Sequence, residues 1–502
     1  MTRVIVIGAG VGGLAAAIRL ASAGHEVEVV EQATRVGGKL STHHAGGFTW
    51  ETGPSLLTLP RVFDELFRLV GTSLAQACKP HRLDPAFRYH FADGSTFATR
   101  DAIDGPEGSI AEVEAFSPGG GAAFARWHRR AARTWAVAER TFFAGPIEDP
   151  RLLARRMRSP FDLMAIDPLR TLDGRARQAF SDPRLAQWAG RYATYAGSSP
   201  YSAPATLGCI PHLEQAEGAW YLEGGLGTLA TALGRAAITA GAHIRLGVGV
   251  DRVLSEPGPA GRVRGVRLAD GVELEADIVV SDADAEALYR DIAPDAGRLA
   301  KVRRAGRSTS GFVLLLGIRD APSAGLSPPL AHHTVWFSSS YRAEFADIAA
   351  GRPPDDPTVY AAISSLTDAA TAPPGHQSWF LLVNVPSEDD PGRAWTQQRA
   401  QAYGDHVLNV LARRGLDLRD RIVVREHRTP ADLAGRFGAV GGAIYGTSSD
   451  GRRAAFARPA NRGPRPGLFL VGGSSHPGGG LPLVAMSGRI VADMIGAADG
   501  GG

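Results

Sequence analysis

VIVIGAGVGGLAAAIRLASAGHEVEVVEQ, Val4 to Gln32, changes its hydrophobic period twice, and those changes decide the fold. Val4 to Ile7 is a short β-branched run with no polar alternation, as expected of a strand covered on both faces. Gly8, Gly10 and Gly13 follow as G-x-G-x-x-G. Leu14 to Ala23 is alanine-rich and favours a helix, and Gly24 is a suitable stop. Val27 to Val30 is a second β-branched run with Glu31 at its end. Gly8 allows the tight turn, Gly10 lets the backbone approach a pyrophosphate, and Gly13 lets the helix pack close to the strand. The helix N-terminus supplies unpaired N–H groups for phosphate, and Glu31 stands where an acid would accept from ribose hydroxyls. A glycine turn alone is a weak signal. A glycine turn between strand and helix with an acid at that distance predicts a dinucleotide site.

The bulk composition sets limits around this. At 502 residues the chain is too long for one ordinary core, so at least two domains are expected. A net charge of +3 makes no case for nucleic acid as a partner. The two cysteines, Cys78 and Cys209, offer neither a disulfide framework nor zinc spacing, which suits a reducing cytosol. No secretory leader and no membrane-spanning run is read. The glycine-rich tail 496–502 is expected to fray. His43 and His44 are adjacent, so on a strand they point to opposite faces and make a poor metal pair. No metal site is expected.

Further along, four segments carry a pattern. Arg35-Val36-Gly37-Gly38-Lys39 is a second glycine pair beside basic residues. GFTWETGP ends in Gly53-Pro54. Tyr195-x-Gly197-Ser198-Ser199-Pro200 is followed at a distance by Gly224-Gly225-Leu226-Gly227 and a helix signal. Near the carboxy terminus, a buried run from Leu468 to Val471 meets Gly472-Gly473, then His476-Pro477, three glycines, and a helix with Pro482 in its first turn.

Together these segments resemble the bacterial phytoene desaturase and carotenoid desaturase family, within the FAD-dependent amine oxidase-like superfamily. The resemblance implies an α/β flavoprotein. A Rossmann-like, doubly wound FAD domain would be assembled from residues 1–75, 220–290 and 433–502, and a mixed sheet and helical substrate domain, facing the membrane, from 76–219 and 291–432. It places FAD against Gly8, Gly10, Gly13, Glu31, Arg35, Gly37, Gly38, Lys39, Gly53 and Pro54. Val250 would meet the adenine. Gly472, Gly473, Gly479, Gly480, Leu481, Pro482 and Val484 would approach the ribityl chain and the ring. Leu226 stands where the family more often has methionine, a swap of similar volume.

The implied reaction is dehydrogenation of a C–C bond in a carotenoid or related polyisoprenoid, with a hydride passing to flavin N5. No catalytic base is assigned; His476 and Tyr195 are candidates to line the site. Carotenoid isomerisation, terminal oxidation and amine oxidation stay open as alternatives, as does the electron acceptor, quinone or dioxygen. An escort protein without catalysis is disfavoured by the intact phosphate glycines. The expected partners are an apolar polyene and a membrane surface touched peripherally from the cytoplasm. Arg151 to Leu172, with Leu152, Leu153, Met157, Phe161 and Met164 among its arginines, is the stretch expected to make that contact.

Overall fold

The structure, a computed structural model, describes residues 1–103, 105–147, 150–258, 261–319, 328–388, 390–451 and 454–498. The end of the tail expected to fray, 499–502, lies outside the described residues.

The apolar run Arg3–Ile7 forms the central strand of a five-stranded parallel sheet. It pairs on one side with Glu26–Glu31 and on the other with Ile278–Ser281. His243–Leu246 and Leu468–Leu470 are the outer strands. Sequence neighbours alone therefore do not complete this sheet. The helix Val11–Ser22 packs against the carboxy-terminal helix Leu481–Ile495. Small residues permit this: a Cβ on Gly488 would lie 2.7 Å from the backbone nitrogen of Ala16. A three-stranded antiparallel sheet, Val250–Ser255, Val263–Leu268 and Glu273–Glu275, lies in the chain between the outer strand His243–Leu246 and the inner strand Ile278–Ser281.

A second, seven-stranded mixed sheet contains the strands Ser310–Arg319, His376–Val385, Val359–Ala362 and His333–Trp336. The hairpin Phe87–His90 and Thr96–Thr99, turning at Asp93-Gly94, joins it through the parallel pair Thr334 and Arg88. One face buries Phe312, Leu316, Trp336 and Trp379 beneath the helix Gln397–Arg413. The other face receives Phe48 and Trp50 from the strand Phe48–Glu51, and the Trp50 indole donates to the Leu316 carbonyl at 3.1 Å. That indole fastens the segment before Gly53 to the second sheet.

The run Gly119 to Gly121 opens the helix Gly120–Thr141, and Glu114 accepts from the N–H groups of Gly119 and Gly121. A carboxylate caps what the glycines alone left open. The basic stretch Arg151 to Leu172 is helical only in part. It breaks into the short helices Pro150–Arg156 and Pro160–Ile166, because Ser159 precedes a proline and is held extended. Leu153 and Leu172 are buried, whereas Phe161, Leu163, Met164 and Leu169 are 75%, 51%, 70% and 71% exposed. The exposed apolar surface therefore lies at the second helix and the loop after it.

Candidate cofactor and substrate site

The carboxyl ends of the parallel strands converge on the glycine turn, the edge at which open α/β sheets bind ligands. Glu31, 8% exposed, accepts from Ala9 N–H at 2.7 Å and from Ala33 N–H at 2.8 Å. The carboxylate is thereby locked beside the turn, with lone pairs left for ribose hydroxyls. Val248 N–H donates to the Glu31 carbonyl at 3.1 Å, which brings the start of the Val250–Ser255 strand to the same end of the sheet. Gly37 N–H donates to the Ala9 carbonyl at 2.8 Å, so the second glycine pair lies across the first. A Cβ on Gly38 would stand 3.5 Å from the Gly10 Cα. A Cβ on Gly53 would strike the Lys39 carbonyl. Arg35 is exposed at the rim.

Lys39 runs inward and donates to the carbonyls of Ala443 and Ile444 at 3.3 and 2.8 Å. Burial lowers its pKa, and Asp284 and Asp282 oppose that shift. Asp282 was not foreseen from the sequence. It follows the strand Ile278–Ser281 and sits at the centre of the fingerprint. A Cβ on Gly12 would be 2.7 Å from its Oδ1, and a Cβ on Gly10 or Gly472 would overlap its carboxylate. Desolvation raises its pKa to about 7; a hydrogen bond from Gly13 N–H acts against this, and Glu31 adds to it. The available signal was positional: an acid directly after a buried strand at the carboxyl edge of the sheet.

At the carboxy-terminal motif, buried Arg458 donates to the carbonyls of Tyr445, Gly473 and Thr447 at 2.9, 2.7 and 2.9 Å. Asn461 donates to the carbonyls of Leu470 and His476 at 3.1 and 2.8 Å. The loop is therefore tied from beneath. His476, 4% exposed, places Nε2 at 2.9 Å from the Phe142 carbonyl and 3.2 Å from that of Gly145, which joins the loop to the helical region. Gly473 and Gly479 face each other, and Gly479 abuts the Tyr445 ring. Gly480 has φ +104°, and nothing stands within 4 Å of where its Cβ would be. The helix Leu481–Ile495 starts there with Pro482 in its first turn and Val484 N–H bonded to Gly480. Its positive dipole end is thus directed at open space beside the glycines.

Tyr195 lies in the turn Arg191–Ala196 and donates through Oη to Glu214. Tyr195, Tyr360 and Tyr445 keep partial accessibility although protein surrounds them, so they border an internal cavity. Tyr360 Oη is 2.7 Å from Ser55 Oγ, next to Gly53-Pro54, and 2.8 Å from His333 Nδ1.

The crowded, backbone-lined cradle, with its glycines and close backbone approaches, fits the pyrophosphate of FAD. His43 bonds Glu426 and His44 bonds Thr49, and no cluster of metal-ligating side chains is found among the described residues.

The family described as flavin containing amine oxidoreductase matches residues 11–496 of the chain. The 4,4'-diapolycopene oxygenase of a Methylomonas species is 36% identical over 497 residues, covering 98% of both chains. The hydroxyneurosporene desaturase of Cereibacter sphaeroides is also 36% identical, over 98% of this chain and 97% of its own. Among solved structures, an oxidoreductase from Methanosarcina mazei superposes with a TM-score of 0.64 at 18% identity, covering 98% of this chain and all of its own, which supports the shared fold. The protein is an FAD-dependent oxidoreductase, and the chain belongs to the flavin containing amine oxidoreductase family alongside these carotenoid-modifying relatives.

Proposed function

We propose that the protein dehydrogenates C–C bonds of a carotenoid or related polyisoprenoid. The observation that carries this reading is the match along nearly the whole length to two relatives whose names specify polyene substrates. The two relatives have the same 36% identity to this chain and are named for different oxidations, so terminal oxidation by this chain is the second reading. Amine oxidation is disfavoured by charge: Arg191 is buried beside Tyr195 and Tyr360 at the cavity, and its fixed positive charge would repel an ammonium.

Bound FAD supplies a two-electron acceptor, and the chain contributes placement and water exclusion. Gly8, Gly10, Gly13, Gly37 and Gly38 would hold the pyrophosphate, Glu31 the ribose, and Gly53, Pro54, Gly479 and Gly480 the ring. The N–H groups at the start of the Leu481–Ile495 helix would stabilise negative charge developing there. The aromatic walls at Tyr195, Tyr360 and Tyr445 would hold the polyene and keep it dry. Allylic stabilisation lowers the demand for a strong base, in keeping with the neutral hydroxyls that border the cavity.

A polyene must be drawn from a bilayer. No helix among the described residues is long and apolar enough to cross one. We assign the contact to Phe161, Leu163, Met164 and Leu169, with exposed Arg155, Arg158 and Arg170 beside them. Arg156 is not part of that face, because it donates to the carbonyls of Thr141 and Gly145.

The test is product analysis. The FAD-loaded protein is incubated with liposomes carrying acyclic polyenes and a quinone or dioxygen. A lengthened chromophore supports desaturation, a new carbonyl at the chain end supports the second reading, and oxidation of amines alone overturns both.

A further inference from the structure

The cavity wall opposite the cofactor cradle is not uniformly apolar. Arg191 is 6% exposed, and its guanidinium carbon lies 4.9 to 5.9 Å from the ring centres of Phe87, Tyr89, Tyr192, Tyr195 and Tyr360. Such faces attract a cation. They are a partial substitute for water, since a guanidinium carries its full charge wherever it is placed. Among the described residues no carboxylate comes within ion-pair distance of it. The nearest acid in this cluster, Glu214, is 2% exposed and has both oxygens engaged: Oε2 accepts from Tyr192 Oη at 2.7 Å and Oε1 from Tyr195 Oη. The side chain of Arg191 makes one long hydrogen bond, to Tyr195 Oη at 3.4 Å. A second unsatisfied group stands in the same cluster. His333 is fully buried, stacks on Phe87 at 4.8 Å and has Nδ1 2.8 Å from Tyr360 Oη, which donates to it in the tautomer that carries the proton on Nε2, and that Nε2 has no partner. Buried polar groups without partners are uncommon and call for one.

The cage also lies at the reacting end of the cavity. Tyr360 is bonded to Ser55, just past Gly53-Pro54. Gly197, two residues after Tyr195, packs so closely on Tyr445 that a Cβ would be 2.9 Å from the ring, and the other side of Tyr445 meets Gly479. Two segments that would hold the flavin ring thus reach the cage through one side chain each.

We propose that this cationic aromatic cage is a recognition site for an acceptor oxygen (hydroxyl, aldehyde or carboxylate) at the end of the polyene. Arg191 donates to that oxygen, and His333 Nε2 is a second contact for it. A hydrocarbon end would leave the guanidinium with its one long hydrogen bond and the imidazole Nε2 with none, which is how a polar site rejects an apolar analogue. This rests on the polyene reading above and narrows it to substrates already oxygenated, so the class of reaction that supplies them is a hydration or oxidation of the chain end.

The experiment uses FAD-loaded protein and liposomes bearing one acyclic C40 polyene as the hydrocarbon, or with a terminal hydroxyl, aldehyde or carboxylate. Bound polyene is measured by its absorption spectrum after the liposomes are removed. At least one oxygenated form should bind ten- to a hundredfold more tightly than the hydrocarbon, the range for a hydrogen bond to a charged group. If the aldehyde binds, its absorption should move to longer wavelength as the guanidinium polarises the conjugated carbonyl. Arg191→Met should bring the preference ratio near one and abolish that shift, with flavin content unchanged. Should Arg191→Met fail to retain FAD, His333→Phe, which keeps the stacking and removes Nε2, should still lower the ratio several-fold. Equal binding of hydrocarbon and oxygenated forms by the unaltered protein, or a ratio that persists in these variants, overturns the cage and leaves the polyene reading intact. Binding of no polyene at all overturns both.

Discussion

The carboxylate of Asp282 occupies the volume that a side chain on Gly10 would need. The glycine at the middle of the fingerprint therefore leaves room for an acid from a distant strand as well as for a phosphate. Gly10→Val should give colourless protein, measured as flavin absorbance against protein absorbance. Gly10→Ala should also lose FAD, and adding Asp282→Gly should restore part of it by removing the overlap. Uptake of FAD unchanged in Gly10→Val would falsify the placement.

The same acid makes cofactor retention depend on pH. Its pKa is raised to about 7 by burial and by Glu31, against the Gly13 hydrogen bond and the nearby Lys39 charge. Between the ordinary carboxylate range and about pH 7 the native chain keeps a proton that the unfolded chain has released. Stability contributed by the neutral form is thus lost as pH rises through 7. A pyrophosphate also binds better to the neutral acid. FAD affinity should weaken between pH 6 and 8, read by fluorescence titration on about a tenfold scale per unit at most. Asp282→Asn should flatten that profile; an unchanged slope in the variant assigns the proton to another group.

Gly480 sits at φ +104° with open space in front of it. Gly480→Leu would be strained by about 1–3 kcal/mol, a cost that a chain of this size tolerates. The branched side chain would also stand where the ring approaches. Turnover should fall by at least a hundredfold, with the flavin spectrum altered, while the melting temperature drops by only a few degrees. A variant with normal turnover and spectrum places the ring elsewhere.

The exposed apolar group at Phe161 to Leu169 gives the membrane reading a direct test. Phe161→Ser, Met164→Ser and Leu169→Ser together should release the protein from anionic liposomes in a flotation assay, with folding and FAD content intact. Glutamate at Arg155, Arg158 and Arg170 should weaken binding at low salt and matter less at high salt. If the triple serine variant floats with the liposomes as before, the contact lies on another face.

The parallel sheet was legible because its inner strands Arg3–Ile7 and Ile278–Ser281 are almost wholly buried and its turn residues have one physical use each. Glu31 and the glycines were legible by spacing. Asp282 was not, because its role depends on Ile278–Ser281 lying beside Arg3–Ile7, a pairing that no local pattern carries. The Arg191 cage was hidden for the same reason. Its rings come from residues as far apart as Phe87 and Tyr360, and a lone arginine in a helical stretch reads as a solvated surface charge. Within the basic stretch 151–172 the exposed apolar residues could not be told from the buried ones, since which of Leu153 and Phe161 is buried depends on the break at Ser159-Pro160.

The strand Leu468–Leu470 closes one edge of the parallel sheet by pairing with Ile278–Ser281. During synthesis, that partner emerges long before it. Until the last strand leaves the ribosome, Ile278–Ser281 is an open edge of unpaired, apolar β-branched residues, the kind of surface that templates association between chains. FAD cannot help at that stage, because half of its cradle is carried on the segment that follows. The nascent protein therefore passes through an interval in which it is committed to a sheet that it cannot yet finish, and yield in a cell should respond more to chaperone supply and slowed translation than to added flavin.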